Sequence, residues 1–404
     1  MPEDTFRIEP TKLERISEQL LDEIADLTSA AATLGRALHP KTAAGLAEVV
    51  AVMNCYYSNL IEGHNTRPHD IMAALKAQEV AEEVEQRDLV EEALAHIRVQ
   101  AMIDAMAATG TLPEPSSIDF IKRLHRAFYK GLPDGLLHVT GAGRDFMMVP
   151  GEFRSCEEHD VAVGAHVPPP SDSVAAFMER FEQVYRLEGA RQAAGVMAMA
   201  AAHHRFAFVH PFPDGNGRVG RLVSHAMAQK IGLGAHGLWS ISRGLARGLD
   251  VGPNGRSEYK RMLAQADVLR QGDLDGRGTL SERALADWVL WFVRVCRDQV
   301  EFMSGLFDLR TLDDRLRRYV RRYDDRLPPS AADMLVEILI RGELERGEVP
   351  RALSMPERSA RRVVSLLVEI GLIEADSPRA PFRLSFPPDS LEDLFPRLFP
   401  AAAG

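Results

Sequence analysis

Cysteine is scarce in this chain: Cys55, Cys156 and Cys296 are the only three in 404 residues, and their spacing pairs none of them. That excludes a disulfide framework and fits a reducing compartment. Long apolar runs are also missing. No stretch of ~18 uninterrupted apolar residues occurs, so no membrane span is expected. The N-terminal MPEDTFRIEP lacks the basic-then-apolar layout of a secretory signal. A soluble, cytoplasmic protein is the expectation. Aromatic residues make up only 7%, while Leu, Ala, Glu and Arg are plentiful, a balance that favours helices over strands. An excess of positive charge is absent too. The net charge of −10 argues against a chain built mainly to coat nucleic acid. What is present is globular: 46% apolar and 26% charged residues, enough for a sizeable core. At ~150 residues per domain the length suggests two or three domains.

Apolar spacing predicts a long amphipathic helix over 11–37, with Leu13, Ile16, Leu20, Leu21, Ile24 and Leu27 near one face. A second helix follows Pro40, from about Lys41 to Tyr57, and meets the turn-like Glu62-Gly63-His64-Asn65. Residues 69–107 read as helix. After a break at 111–115, Ser116 or Ser117 caps a helix through Tyr129. Residues 131–171, rich in Gly and Pro, read as a loop with a short hairpin. Helices then follow from Ser171 or Asp172 to about Leu187, from about Arg191 to Phe208, from near Gly217, and over 279–312. The stretch 319–330 reads as a linker. Beyond it come helices over Ala331–Arg341, about Glu348–Leu353 and Pro356–Ile370, then two short strands in LIEAD and PFRLSF, the layout of a winged helix.

The chemistry concentrates in His210-Pro211-Phe212-Pro213-Asp214-Gly215-Asn216-Gly217-Arg218-Val219-Gly220-Arg221. Gly215 and Gly217 let backbone amides approach an anion closely. A helix starting just after them aims its N-terminal amides and positive dipole end at that anion. Arg218 and Arg221, three apart, share a helix face and suit a polyphosphate. Asp214 is the lone carboxylate in this basic nest, placed to hold Mg²⁺. A neutral His210 could take a proton from an attacking hydroxyl. Phosphoryl or nucleotidyl transfer is the reaction class these groups suit.

This segment matches, without gaps, the signature H-P-F-x-x-G-N-G-R-x-x-R, and by it the chain resembles the Fic family over about residues 50–300. The resemblance implies an all-α Fic core that moves AMP from ATP to a Ser, Thr or Tyr hydroxyl of a target protein, or of the chain itself. It implies that His210 is the base, that Asp214 binds Mg²⁺, and that Asn216 with the Gly215 and Gly217 amides holds the α- and β-phosphates. Arg218 would contact phosphate and Arg221 would hold the γ-phosphate. Upstream, Ser58-Asn59-Leu60-Ile61-Glu62-Gly63 resembles the family's inhibitory pattern [S/T]-x-x-x-E-[G/N]. On residues alone it is a helix end before a glycine cap. By resemblance, Glu62 pairs with Arg221 and blocks the γ-phosphate, Ser58 anchors the helix, and the same glutamate could position a water that removes AMP. Gly151-Glu152-Phe153-Arg154 through His166-Val167-Pro168-Pro169-Pro170 resembles the family's flap, a hairpin edge beside the site that would pair with an extended target segment. Tyr259 is the candidate for an aromatic residue near the adenine.

Other features carry less. His203 and His204 lack metal-ligand spacing and read as packing residues. Asp273-Leu274-Asp275-Gly276 lacks the rest of a calcium loop. Arg317, Arg318, Arg321 and Arg322 read as a solvated helix face. Residues 328–404 hold nine Arg and no Lys against twelve Asp plus Glu, a net of −3, which is poor for DNA binding through Arg358, Arg361 and Arg362. A protein-interaction or dimerising role is favoured there. The expected organisation is a helical region over 1–110 with the inhibitory motif, a Fic core over 111–315 and a winged helix over 325–404. A DNA-binding regulator with a nucleotide-sensing core is the alternative.

Overall fold

A computed structural model describes residues 4–64, 66–75, 84–141, 143–249, 255–323 and 326–399. Asn65 of the expected turn, residues 76–83 of the expected 69–107 helix, and Asp324 and Asp325 of the expected linker lie outside them. The described chain is helical, with two small antiparallel hairpins. None of its helices is long and apolar enough to cross a membrane.

The first helix, α1, spans Glu18–Arg36, not 11–37. Ser17 caps it, its Oγ accepting from the Leu20 amide at 3.2 Å. Ahead of the cap, the Glu14 and Arg15 amides donate to the Glu282 carboxylate, which holds the chain out of a helix and leaves Ile16 exposed. Leu20, Ile24, Leu27, Ala31 and Leu34 form the buried stripe. Helix α2 spans Pro40–Glu62 and so runs on past Tyr57 through Ser58 to Glu62. Gly63, at φ 95°, ends it, its amide donating back to Asn59 and Leu60 carbonyls. Next come α3 (Pro68–Leu75), α4 (Val84–Ala108) and α5 (Ile118–Tyr129), the last capped by Ser117.

The hairpin within 131–171 is β1 (His138–Gly141) against β2 (Arg144–Met147). Helix α6 spans Val174–Tyr185. Helix α7, Gln192–Val209, is apolar nearly all round and lies at the centre of the core, packed on α8, Asn216–Lys230. Two helices absent from the sequence reading follow, α9 (Ile241–Arg247) and α10 (Gly255–Ala266).

The expected single helix over 279–312 is two: α11 (Glu282–Leu306), which packs along α1, and α12 (Leu309–Tyr323). Asp308 restarts the helix by accepting from the Arg310 and Thr311 amides, both at 3.1 Å. The first half of the expected linker is therefore helix. Leu312, Leu316, Tyr319 and Val320 continue a buried helical stripe through it. Helices α13 (Pro329–Arg341), α14 (Val349–Ala352) and α15 (Glu357–Glu369) precede a two-residue hairpin, β3 (Ile373–Glu374) with β4 (Arg383–Leu384), and α16 (Leu391–Leu394). Leu344 bridges to Phe382 beside that hairpin. Arg358, Arg361 and Arg362 are exposed on α15, with Arg361 bonded to Glu357.

One continuous buried apolar cluster runs from Ile8 to Leu398. The C-terminal helices dock along α2: Thr42 Oγ1 donates to the Leu339 carbonyl at 2.8 Å, and Tyr57 donates to the Leu398 carbonyl at 3.2 Å. The ring of Phe399 sits edge-on to Tyr56. The end of the described chain thus braces α2 one residue before Ser58.

Candidate active site

The site forms where α7 stops and α8 begins. His210 ends α7 in the left-handed conformation, φ 50° and ψ 60°, its amide donating to the Phe206 carbonyl. Gly215, at φ 77°, is the last residue before α8. A Cβ there would stand 2.7 Å from the Tyr129 hydroxyl, so glycine is required by conformation and by space. The turn between them is closed by Asn216, whose side chain accepts from the Phe212 amide at 2.8 Å and donates to the Phe212 carbonyl at 2.7 Å. Both ends of that amide are occupied inside the turn. Asn216 thereby shapes the cradle, using one N–H and one lone pair of its amide inside the turn.

The first amides of α8 have no partner within the helix, and a carboxylate from another element lies against Gly217 beside them. Glu62, on the last turn of α2, lies so close that a Cβ on Gly217 would stand 2.2 Å from its Oε1. The same oxygen accepts from Arg221 Nη2 at 2.6 Å. Arg221 is 2% exposed, and Ser58 completes its contacts: Nε donates to Ser58 Oγ at 3.0 Å and Nη2 to the Ser58 carbonyl at 3.2 Å. Burial pushes the Glu62 carboxyl upward, but the charge and bond of Arg221, joined by Arg218, outweigh it and hold Glu62 below its ordinary range. Ser58 and Glu62, one turn apart on α2, are thus brought together with Arg221, which is remote from both in sequence.

Arg218 is held by acidic and aromatic neighbours. It is buried and faces inward, bonded to Glu92 of α4, to the Tyr129 hydroxyl and to Asp214 Oδ2, the last two at 3.2 Å. Its guanidinium lies 5.1 Å above the Phe128 ring. Glu92 also lies 3.1 Å from His64 Nδ1, just after the Gly63 cap. Sequence reasoning missed Glu92, since nothing separates it from the other glutamates of α4.

Asp214 keeps about half its side chain exposed, 52%. Its Oδ2 accepts from Tyr129 at 3.0 Å. Burial raises its carboxyl, but Arg218, the Gly215 amide and Tyr129 together hold it below its ordinary value. His210 goes down to about 4, through burial first and then through its neighbours Arg154 and His166. Its imidazole is neutral at neutral pH.

At the expected flap, Gly151, Phe153 and Arg154 lie outside any paired strand. Arg154 is 1% exposed and works as a clamp: its amide donates to the Pro211 carbonyl, Nε to the His210 carbonyl at 2.7 Å, and Nη2 to the Val209 and Pro169 carbonyls. Its Nη1 donates to Ser171 Oγ at 2.9 Å. Phe153 packs on Phe212. Between Ser155 and His166 the pairing is a single bridge, Val163 with His166, and the hairpin β1–β2 lies upstream. The acidic, proline-rich run 156–170 lacks the alternation that extends a strand. Arg154→Ala is expected to destabilise the fold by about 3 kcal/mol, because it leaves several buried carbonyls unpaired. Arg154→Lys, without the planar fork, recovers little of it. Urea melts check this, and an unchanged midpoint for Arg154→Ala would refute the clamp.

Tyr259 is a core residue. Its ring stacks on Trp291 and its hydroxyl bonds His203 Nε2 at 2.9 Å, beneath Arg221. Only 6% of it is exposed. His203 and His204 pack as read, bonded to Ser224 and Asp267. Asp275 accepts from Gln271, Ser281 and Arg283 in the turn before α11.

The comparison with known proteins falls on this same ground. Residues 115–228, from α5 through most of α8, match the model of the Fic/DOC family. That stretch is similar to a Fic/DOC domain. Curated relatives include the protein adenylyltransferases Fic of Drosophila virilis and Drosophila melanogaster, 39% and 38% identical over 82 residues. That match covers 20% of this chain and only 16% of each relative's length. The fold extends further. A Fic family protein from Desulfovibrio desulfuricans G20 superposes with a TM-score of 0.53 at 17% identity, over 93% of this chain and 98% of that one. A Fic domain containing signaling protein from Bacteroides thetaiotaomicron covers 70% of this chain at 23% identity and a TM-score of 0.50, with 95% of its own length matched.

Proposed function

We propose that this Fic protein is an adenylyltransferase held off by its own Glu62. The observation that carries the reading is the Glu62 carboxylate seated over the α8 N-terminus and bonded to Arg221. A site built for a phosphate chain would present such amides and such an arginine. Here a built-in anion takes the place of the γ-phosphate.

With Glu62 withdrawn, Arg221 and the Gly217 amide would receive the β- and γ-phosphates of ATP. His210, neutral and at the mouth of the turn, would accept the proton of a Ser, Thr or Tyr hydroxyl. The hydroxyl oxygen would bond to the α-phosphorus as the bond from that phosphorus to the bridging oxygen breaks, and pyrophosphate would leave. Asp214 fits Mg²⁺: a half-exposed carboxylate, kept ionised by its neighbours, is the hard oxygen donor that ion takes together with phosphate oxygens. When bound, the ion would supply charge neutralisation on the phosphates. Arg218 would act through Asp214, whose carboxylate it orients. The target would be another protein, the chain itself or a second copy. Glu62 could also serve the reverse reaction, removal of AMP, by holding a water. The C-terminal helices and hairpin would be a winged helix that contacts protein, given their acidic balance and the Arg361–Glu357 pairing on α15.

The test compares α- and γ-labelled ATP on Glu62→Gly protein with Mg²⁺. Label from the α-phosphate and none from the γ-phosphate is expected. Label from the γ-phosphate would make the protein a phosphoryl transferase, and no label from either, with ATP bound, would overturn the reading.

A further inference from the structure

The flap and the Asp214 turn are separate in sequence, yet one side chain joins them. His125, on α5, is fully buried, so no substrate reaches it. Its Nδ1 accepts from the Gly151 amide at 2.8 Å. That nitrogen therefore carries the lone pair, and Nε2 carries the proton and donates to the Asp214 carbonyl at 3.2 Å. The ring stacks on Phe212, centroids 3.9 Å apart. The Gly151 amide can aim at the ring because Gly151 stands at φ 85°, where a Cβ would meet Arg126 at 2.4 Å. Four residues on, Tyr129 donates to Asp214 Oδ2 at 3.0 Å. One face of α5 thus grips both the backbone and the carboxylate of Asp214.

We infer that His125 is a positioning residue, a hydrogen-bonded strut between the flap entry at Gly151 and the Asp214 turn that sets where the metal-binding carboxylate stands. This rests on the reading of Asp214 given under Proposed function. Packing alone does not call for a histidine here. A phenylalanine would stack on Phe212 as well, but only a group with one acceptor and one donor spans the two backbone partners. Partners behind a metal-binding group are worth about 10–100-fold in metal affinity.

The experiment compares Glu62→Gly protein with the same protein carrying His125→Phe or His125→Gln. Phe keeps the ring and loses both bonds, whereas Gln keeps an acceptor and a donor. ATP binding is measured by calorimetry with and without Mg²⁺, and half-saturating Mg²⁺ is measured for AMP transfer. For His125→Phe, ATP affinity without Mg²⁺ should stay as in the parent. The gain in ATP affinity on adding Mg²⁺ should shrink, and half-saturating Mg²⁺ should rise, each by about tenfold. His125→Gln should recover most of both. A parental Mg²⁺ response in His125→Phe, or a Gln variant no better than Phe, overturns the inference. If His125→Phe fails to fold, His125→Met, which fills the same space with an adaptable apolar chain, takes its place under the same criteria. If the Glu62→Gly parent itself transfers no label, the transferase reading fails, and the Mg²⁺ dependence of ATP binding still decides the role of His125.

Discussion

Replacing Glu62 by glycine is expected to raise AMP transfer about 100-fold over the wild type. The size follows from what the carboxylate holds. Its bond to Arg221 is short and charge-assisted, 2.6 Å, and such bonds contribute about 1.5–3 kcal/mol each. On the proposed reading, ATP displaces that bond before its γ-phosphate takes Arg221. Glycine removes the competitor, and at the last helical position before the Gly63 cap it costs about 1 kcal/mol of local helix stability. Arg221 keeps Ser58 as a partner, so the variant should fold but lose stability, and ATP should restore more of its thermal midpoint than it restores in the wild type. Glu62→Gln, which can still accept from Arg221 but carries no charge, should fall between the two. The latch is also insensitive to physiological pH. The Glu62 carboxyl is held below its ordinary 4.5, so the stabilisation it gives is present above that value and is lost only as pH falls through the lowered one. Equal labelling of wild type and Glu62→Gly, with ATP bound to both, would refute this account.

Removing the base should have the opposite effect. In the Glu62→Gly background, His210→Ala is expected to lower transfer by about 10²–10⁴-fold while leaving ATP affinity within about twofold, because general-base assistance acts on the attacking hydroxyl and not on the phosphates. The pH profile is the sharper check. A base works in its neutral form. With the His210 imidazole brought down to about 4 by burial, Arg154 and His166, the rate should be flat between pH 6 and 8 and fall as pH drops through about 4. A rate that climbs through pH 6.5 would mean that some other group, or an imidazole at its ordinary value, carries the proton. Undiminished label in the double variant would remove His210 from the chemistry.

Much of the candidate site was legible because it lies in one short segment. The turn from His210 to Arg221 is local, and its glycines and the helix start after it follow from backbone rules that operate over a few residues. The helical class followed from composition and apolar spacing for the same reason. Legibility failed where a side chain's partner is remote. Glu92 against Arg218, and the Phe212 backbone that Asn216 bonds, are partners that the residues around each position do not announce. Trp291 and His203, which flank Tyr259, are equally remote in sequence. Helix ends were misplaced where a cap or a distant carboxylate outweighed the apolar stripe, as Ser17 and Glu282 do before α1 and Asp308 does between α11 and α12.

The amino-acid sequence by itself determined the helical class, a phosphate-suited turn that carries His210 and Asp214, and a glutamate before a glycine at a helix end. Each depends on residues within a few positions of one another. Tertiary structure decided which charges are free. It set Glu62 on Arg221, gave Arg218 to Glu92 and Asp214, and buried His125 between Gly151 and Asp214. Burial makes an ionic or polar group take whatever partner the packing of separate helices supplies, and that packing joins positions as far apart as 62 and 221.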